Sequence, residues 1–377
     1  MKVPRVGCAL MLGMIGALGT LATGGCQRGE PMSEPVQAPG PTISPLGQAG
    51  YRLRWRREAP TDGQPIRDIE FLDGRGLALV DATNEVHLLE HDTGRTRWRV
   101  QIGSPLLRLA GIGAAEGGLV AVMPTELSLL SYTDGELLER HSLQILARSK
   151  PAIINNLAVV GSRSGRVAAI DINRGFDRWA YDLDGEVKMP PVQVGDSFAF
   201  VSAGGQVVVL GPDGSSRGRR TDLFGPPGAP PATDGTLLYV ASRGQSLWAL
   251  ETEVGGGVAW RVRTQFPLTE RPAAIGGRVL ASIPGRGFVS FDTGTGEEVW
   301  SDPDLQGEVL GTFRNRLMLW DASDRGGSLR LLDQNSGRVV ETIELPGVAE
   351  LYVEGVDDGN LFVSYVDGGF ERYSVRQ

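Results

Sequence analysis

Cysteine and histidine are almost missing from this chain of 377 residues, which has Cys8 and Cys26 and three histidines, His87, His91 and His141. Two cysteines close to the N-terminus cannot build a disulfide framework, and no Cys-x-x-Cys-His haem attachment is present. On a helix, His87 and His91 would form a metal pair. Here they bracket a strand end and a turn, where four residues span about 13 Å, so a shared ion is not expected. No Gly-x-Ser-x-Gly nucleophile elbow, His-Glu-x-x-His pair or Walker loop is read, and no catalytic residue, metal or cofactor is assigned. Sustained helical periodicity is also lacking beyond the N-terminal leader. Positive charge is in deficit, with 37 Lys and Arg against 45 Asp and Glu and a net charge of −8. Loss of Lys2 and Arg5 with the leader takes it to −10, which argues against general affinity for nucleic acid or anionic lipid.

Glycine, in contrast, is abundant and periodic. Gly94, Gly135, Gly175, Gly214, Gly255, Gly296 and Gly337 follow one another at steps of 41, 40, 39, 41, 41 and 41 residues. A period near forty with strand-like segments between turns marks a repeat architecture. The units read LLEHDTGRTRW (88–98), AAIDINRGFDRW (168–179), WALETEVGGGVAW (248–260) and VSFDTGTGEEVW (289–300). An acidic residue (Glu90, Asp171, Glu251, Asp292 or Asp333) opens each turn and can accept hydrogen bonds from the amides beyond it. The glycine supplies a positive-φ position. Trp98, Trp179, Trp260 or Trp300 then begins the next strand, offering an apolar face to a neighbouring repeat and an indole N–H to a partner. Because the acidic residues recur once per repeat at one place, they are read as turn caps rather than calcium ligands.

Each unit holds four short strands, which describes an all-β, β-propeller fold. Second strands begin near Leu77, Leu119, Leu157, Phe198, Leu237, Val279, Leu317 and Leu361, giving eight blades, with seven the alternative because the second and fourth copies are degenerate. The eighth copy ends before its fourth strand. Arg54-Trp55-Arg56 matches Arg97-Trp98-Arg99, so the N-terminal strand is expected to complete the last blade and close the ring. Arg52, Arg54, Arg56 and Arg57 are then expected on the solvated face of an edge strand, with Tyr51, Leu53 and Trp55 inward, rather than as a nucleic-acid patch.

The leader joins Lys2 and Arg5 to an uncharged run over 6–22, seventeen residues that are short for a membrane span. Thr23-Gly24-Gly25-Cys26 resembles a bacterial lipobox, with Thr23 where leucine is usual. Residues 1–25 are therefore expected to be a lipoprotein signal, with secretion and cleavage nearby as the alternative. Cys26 would be the lipidated first residue, and 26–50 a Pro/Gly-rich tether about 25–30 Å in reach. The propeller is assigned to 51–377.

Over 51–377 the acidic-x-x-(Thr/Ser/Arg)-Gly…Trp turns resemble the repeats of the pyrroloquinoline-quinone (PQQ)-type propellers. That resemblance implies one of two activities. One is a quinone-dependent dehydrogenase, whose members use calcium and often an adjacent cysteine pair that this chain lacks. The other is a non-catalytic lipoprotein scaffold of outer-membrane barrel assembly, which faces the periplasm and binds protein partners. Architecture favours the scaffold, and a propeller binding some other periplasmic or surface ligand is the third alternative.

Overall fold

The computed structural model describes residues 44–377 apart from 218, 254, 358 and 377. The expected signal and Cys26 lie outside these residues. Eight four-stranded antiparallel sheets take up every strand of the described chain, and its one helix is a single turn, Pro45–Gln48. Blades 1 to 7 occupy 66–101, 111–142, 152–182, 192–222, 232–263, 273–302 and 308–346 in chain order. Blade 8 is built from 348–375 and completed by Tyr51–Glu58, which pairs antiparallel with Gly369–Val375. The ring thus has eight blades and is closed by the N-terminal strand, as the repeat spacing implies.

The second strands are buried over most of their length, and throughout in Gly76–Asp81, Gly118–Met123 and Ser197–Val201. Each blade is covered on both faces by its neighbours, so these strands read as continuous apolar runs rather than alternations. The core is accordingly a set of layers between blades. One layer joins Val86, Leu88 and Trp98 of blade 1 to Ile112, Leu119 and Leu130 of blade 2.

The glycine of each turn lies beneath an aromatic ring of the preceding blade. A Cβ on Gly94 would meet Trp55 at 2.7 Å, one on Gly296 would meet Trp260 at 2.6 Å, and one on Gly337 would meet Trp300 at 2.4 Å. The indole N–H then donates to a carbonyl of that same turn: Trp55 to His91 (2.9 Å), Trp98 to Tyr132 (3.1 Å), Trp179 to Pro212 (2.7 Å), Trp260 to Thr293 (2.7 Å) and Trp300 to Gln334 (3.0 Å). Each tryptophan therefore staples its blade to the next. The acidic caps act as expected, Asp292 Oδ1 accepting from the amides of Gly294 and Thr295 at 3.0 Å each.

Three blades depart from the pattern, and in blade 7 the tryptophan position is held by Glu341. Blade 2 has no tryptophan, and His141 covers Gly175 instead, its Nε2 2.9 Å from the Ile172 carbonyl oxygen. Blade 4 has a two-residue fourth strand, Thr221–Asp222, and no ring covers Gly255. Main-chain bonds replace the staple there, Gly255 N donating to Arg217 O (3.2 Å) and Arg219 N to Gly256 O (3.1 Å).

In seven of the eight blades the fourth strand carries a β-bulge just before the tryptophan position. In the closing strand Arg54 is the extra residue. A bulge puts two residues opposite one and reverses the alternation beyond it. It therefore turns Trp55 to the face opposite Tyr51, which corrects the expectation that both point the same way, and Leu53, also expected inward, is exposed. Tyr51 stacks on Phe313 of blade 7, whereas Trp55 packs against Leu77, Leu79 and Leu89 of blade 1. The arginines divide as well. Arg57 reaches the Thr93 carbonyl of blade 1, and Arg56 turns to Glu371 and the Tyr365 ring. Residues 44–50, placed by composition in the tether, are docked on the ring: Leu46 and Ala49 are buried beside Phe313 and Tyr373.

Candidate protein interface

Antiparallel blades put the turns between second and third strands at the same end as the connectors from each fourth strand to the next first strand. The connectors lie on those turns: Asn84 Nδ2 donates to the carbonyls of Ser104 (3.0 Å) and Leu107 (2.7 Å), Arg163 N to Leu146 O (3.0 Å) and Arg243 N to Pro226 O (2.9 Å). They present apolar side chains outward. Leu106 is 93% exposed and Phe224 75%, and Leu107, Leu146 and Phe266 are exposed on the same rim.

Phe224 is held in place rather than left loose. Its φ is +54°, a left-handed conformation that costs a non-glycine residue roughly 1–3 kcal/mol. Leu223 beside it is fully buried, and the Arg261 guanidinium lies over both Trp248 (4.2 Å) and Phe224 (5.4 Å). A pre-positioned aromatic anchor among exposed aliphatics is the make-up of a protein-binding patch.

Cations collect beside the first of these connectors. A cavity of about 390 Å³ opens where the innermost strands of blades 1 to 4 begin, and Arg67, Arg108, Arg148, Lys150 and Lys188 line it. Lys150 is committed to Asp68 (2.8 Å) and Glu70 (2.7 Å). Burial works to lower its pKa, but these two carboxylates outweigh it and hold the ammonium above its ordinary value. Arg148 pairs with Glu186 at 2.8 Å. Among the described residues Arg67, Arg108 and Lys188 make no ion pair, so the mouth offers net positive charge on an acidic chain.

One group among the described residues has the composition of a metal site: Asp81, Glu85 and His87 in blade 1. His87 Nε2 lies 3.3 Å from Asp81 Oδ2 and 3.7 Å from Glu85 Oε2. Asp81 Oδ1 is taken up by the Thr83 amide (2.7 Å) and hydroxyl (2.7 Å) and by the Glu85 amide (3.0 Å). Ser202 and Ser242 cap the matching turns of blades 4 and 5, so the carboxylate is a turn cap in this arrangement. The group sits on second and third strands, away from the innermost strands where a quinoprotein holds its cofactor. The chain also lacks adjacent cysteines, so its residues do not fit a calcium–quinone centre. Gly214-Ser215-Ser216-Arg217-Gly218 carries the letters of a Gly-x-Ser-x-Gly elbow, which corrects the expectation that the chain has none. It follows a strand, Gly214 lies under Trp179, and no helix comes after it, so the elbow geometry is missing.

Of the residues singled out in the sequence, Trp55, Trp98, Trp179, Trp260, Trp300, Gly94, Gly175, Gly296 and Gly337 stand at the blade junctions, and Gly255 stands at a junction where no ring covers it. None is on the connector rim. The rim residues carry no periodic signal, and an apolar residue in a long connector is the sole trace they leave.

A sequence profile of the family described as outer membrane protein assembly factor BamB matches residues 124–217 and 203–350, more than half of the chain. The chain belongs to the BamB family. Similar members include BamB of Burkholderia pseudomallei, 24% identical over 340 residues that cover 80% of this chain and 83% of that one. BamB of Shewanella oneidensis is 24% identical over 63% of each chain. Among solved structures, BamB from Moraxella catarrhalis superposes with a TM-score of 0.67 at 18% identity, covering 87% of this chain and 98% of that one. A computationally designed protein, Ika8, superposes with a TM-score of 0.66 at 15% identity. The BamB likeness thus extends over most of the ring, and these structural matches at low identity speak for its shape.

Proposed function

We propose that this protein is a non-catalytic scaffold that binds protein partners during assembly of outer-membrane β-barrel proteins, held to the membrane through lipid on Cys26 and facing the periplasm. The observation that carries the proposal is membership of the BamB family by a ring whose connector rim exposes Leu106, Leu107, Leu146, Phe224 and Phe266. A closed ring gives such loops a rigid base, so the partner meets a preformed surface and little ordering entropy is lost on docking. The cations at the channel mouth add attraction for an acidic partner and set its orientation. The outer strands present free backbone edges, a second means of holding an extended segment by strand addition.

The test is purification of the full-length protein from membranes in mild detergent, with mass spectrometry of its partners and mature N-terminus. Recovery of barrel-assembly subunits with acylated Cys26 supports the proposal. A protein that reproducibly arrives alone or with unrelated partners refutes the scaffold role, and an N-terminus other than acylated Cys26 refutes the anchor.

A further inference from the structure

In each of the other bulged blades, the third-strand residue paired with the tryptophan position is uncharged: Leu88, Leu129, Ala169, Ala249, Ser290 and Leu331. In blade 8 the residue paired with Trp55 is Arg372. Its side chain is 91% buried, its Nε has no hydrogen-bond partner among the described residues, and burial lowers its pKa. Burying a guanidinium at a position that accepts leucine or alanine elsewhere is unfavourable unless its donors are satisfied. Within the chain, the partner is Asp92 of blade 1, 3.3 Å from Nη1 and itself 87% exposed.

Arg372 does not stand alone. Alternation puts Arg52 and Arg54 on the same face of the closing strand, and Arg54 Nε donates to Ser374 Oγ at 2.6 Å. Together with Arg376 they line an open cleft of about 1130 Å³ between the closing blade and the turn of blade 1. Four arginines line it against the carboxylate of Asp92, and Glu354, hydrogen-bonded to His91 and Asn360, adds a second negative charge beside Arg372. Such a gathering of like charge repels itself and calls for an anion carrying more than one negative charge. Planar guanidinium forks match the oxygens of phosphate in pairs.

We propose that this seam is a binding site for a phosphate-bearing anion, with Arg372 at its base and Arg52, Arg54 and Arg376 on its walls. The site is separate from the connector rim and does not depend on the scaffold reading. Inorganic phosphate and the headgroup of a phospholipid present the same oxygens to such a site. The anion can therefore come from solution or from a phospholipid headgroup.

The experiment uses the full chain with Cys26→Ser, so that acylation contributes nothing. Pyrophosphate is titrated by calorimetry and by thermal unfolding, with tricarballylate as a carboxylate control. Flotation is run in parallel with vesicles of phosphatidylglycerol or of phosphatidylcholine alone. Saturable pyrophosphate binding, with a rise in melting temperature of about 2–5 °C at hundredfold excess over Kd, supports the proposal with a soluble ligand. Flotation with phosphatidylglycerol but not phosphatidylcholine supports it with a headgroup. Arg372→Leu restores the aliphatic residue of the other blades and is expected to fold with an unchanged or raised melting temperature. It should weaken either binding at least tenfold; if it does not fold, Arg54→Gln and Arg376→Gln serve the same purpose. Absence of both bindings overturns the proposal, as does binding indifferent to these substitutions. Tricarballylate binding as tightly as pyrophosphate overturns it in favour of an acidic peptide.

Discussion

Substituting alanine at Gly296 and at Gly255 separates two costs that coincide at most blade junctions. Both glycines have positive φ, +71° and +81°. Both substitutions therefore carry the left-handed penalty for an L-residue, about 1–2 kcal/mol. At Gly296 the added Cβ also falls 2.6 Å from the Trp260 ring, which is 9% exposed and has no room to withdraw. Overpacking of this kind costs about 1–3 kcal/mol. Displacing the ring breaks the 2.7 Å bond from its indole N–H to Thr293 O, a further loss of about 1 kcal/mol. At Gly255 nothing among the described residues lies within 4 Å of the added carbon. Gly296→Ala is thus expected to destabilise the ring by about 2–4 kcal/mol more than Gly255→Ala. Urea unfolding followed by tryptophan fluorescence and circular dichroism gives both values. Equal losses at the two sites would refute the staple and leave turn conformation as the sole reason for the glycines.

Deleting 51–58 removes the strand that completes blade 8 and the Trp55 staple, exposing strand edges at the break. The expected product is aggregated or lacks a single cooperative transition by size-exclusion chromatography and urea unfolding; a monomer with an unchanged midpoint would show that closure is dispensable. Leu106→Asp combined with Phe224→Asp alters side chains that point into solvent. Stability should stay within about 0.5 kcal/mol while partner recovery from membranes falls at least tenfold, and undiminished recovery would move the interface off this rim. The carboxyls of Asp292 and Asp333 are held below 3.8, the first mainly by the Thr295 amide and the second mainly by the Ser336 hydroxyl. A lowered folded pKa gives stability that is present above about pH 4 and lost as pH falls through the folded value. Asp292→Asn with Asp333→Asn should flatten the acid limb of a pH–stability profile below pH 4, and an unchanged limb would show that other carboxylates control it.

The blades were legible because their turns impose a chemical demand at fixed spacing. A positive-φ residue under an aromatic ring admits glycine, and six such glycines, with Gly255 in the same register, locate the junctions. Ring closure was legible for the same reason, since Arg54-Trp55-Arg56 repeats a blade ending. Three things stayed hidden. The bulge that turns Trp55 to the face opposite Tyr51 shifts alternation without changing which residue types are tolerated. His141 takes the staple of blade 2 from a place two residues beyond the tryptophan register, since Glu139 is the residue paired with Leu129. The interface rim and the arginine seam depend on which connectors and strand ends meet in space, and periodicity carries no record of that.

The closing strand also sets a schedule. Arg54 and its partner Ser374 are 320 residues apart in the chain, so a strand made among the first is completed by one made among the last. Until 369–375 has emerged, the Tyr51–Glu58 segment has no partner in its own blade, and an unpaired strand of this kind is open to mispairing with other chains. The seven other blades can form in order as they appear, each laid against its predecessor. The ring is therefore finished in a single late event, and the interval before it is when the protein most needs a holding factor.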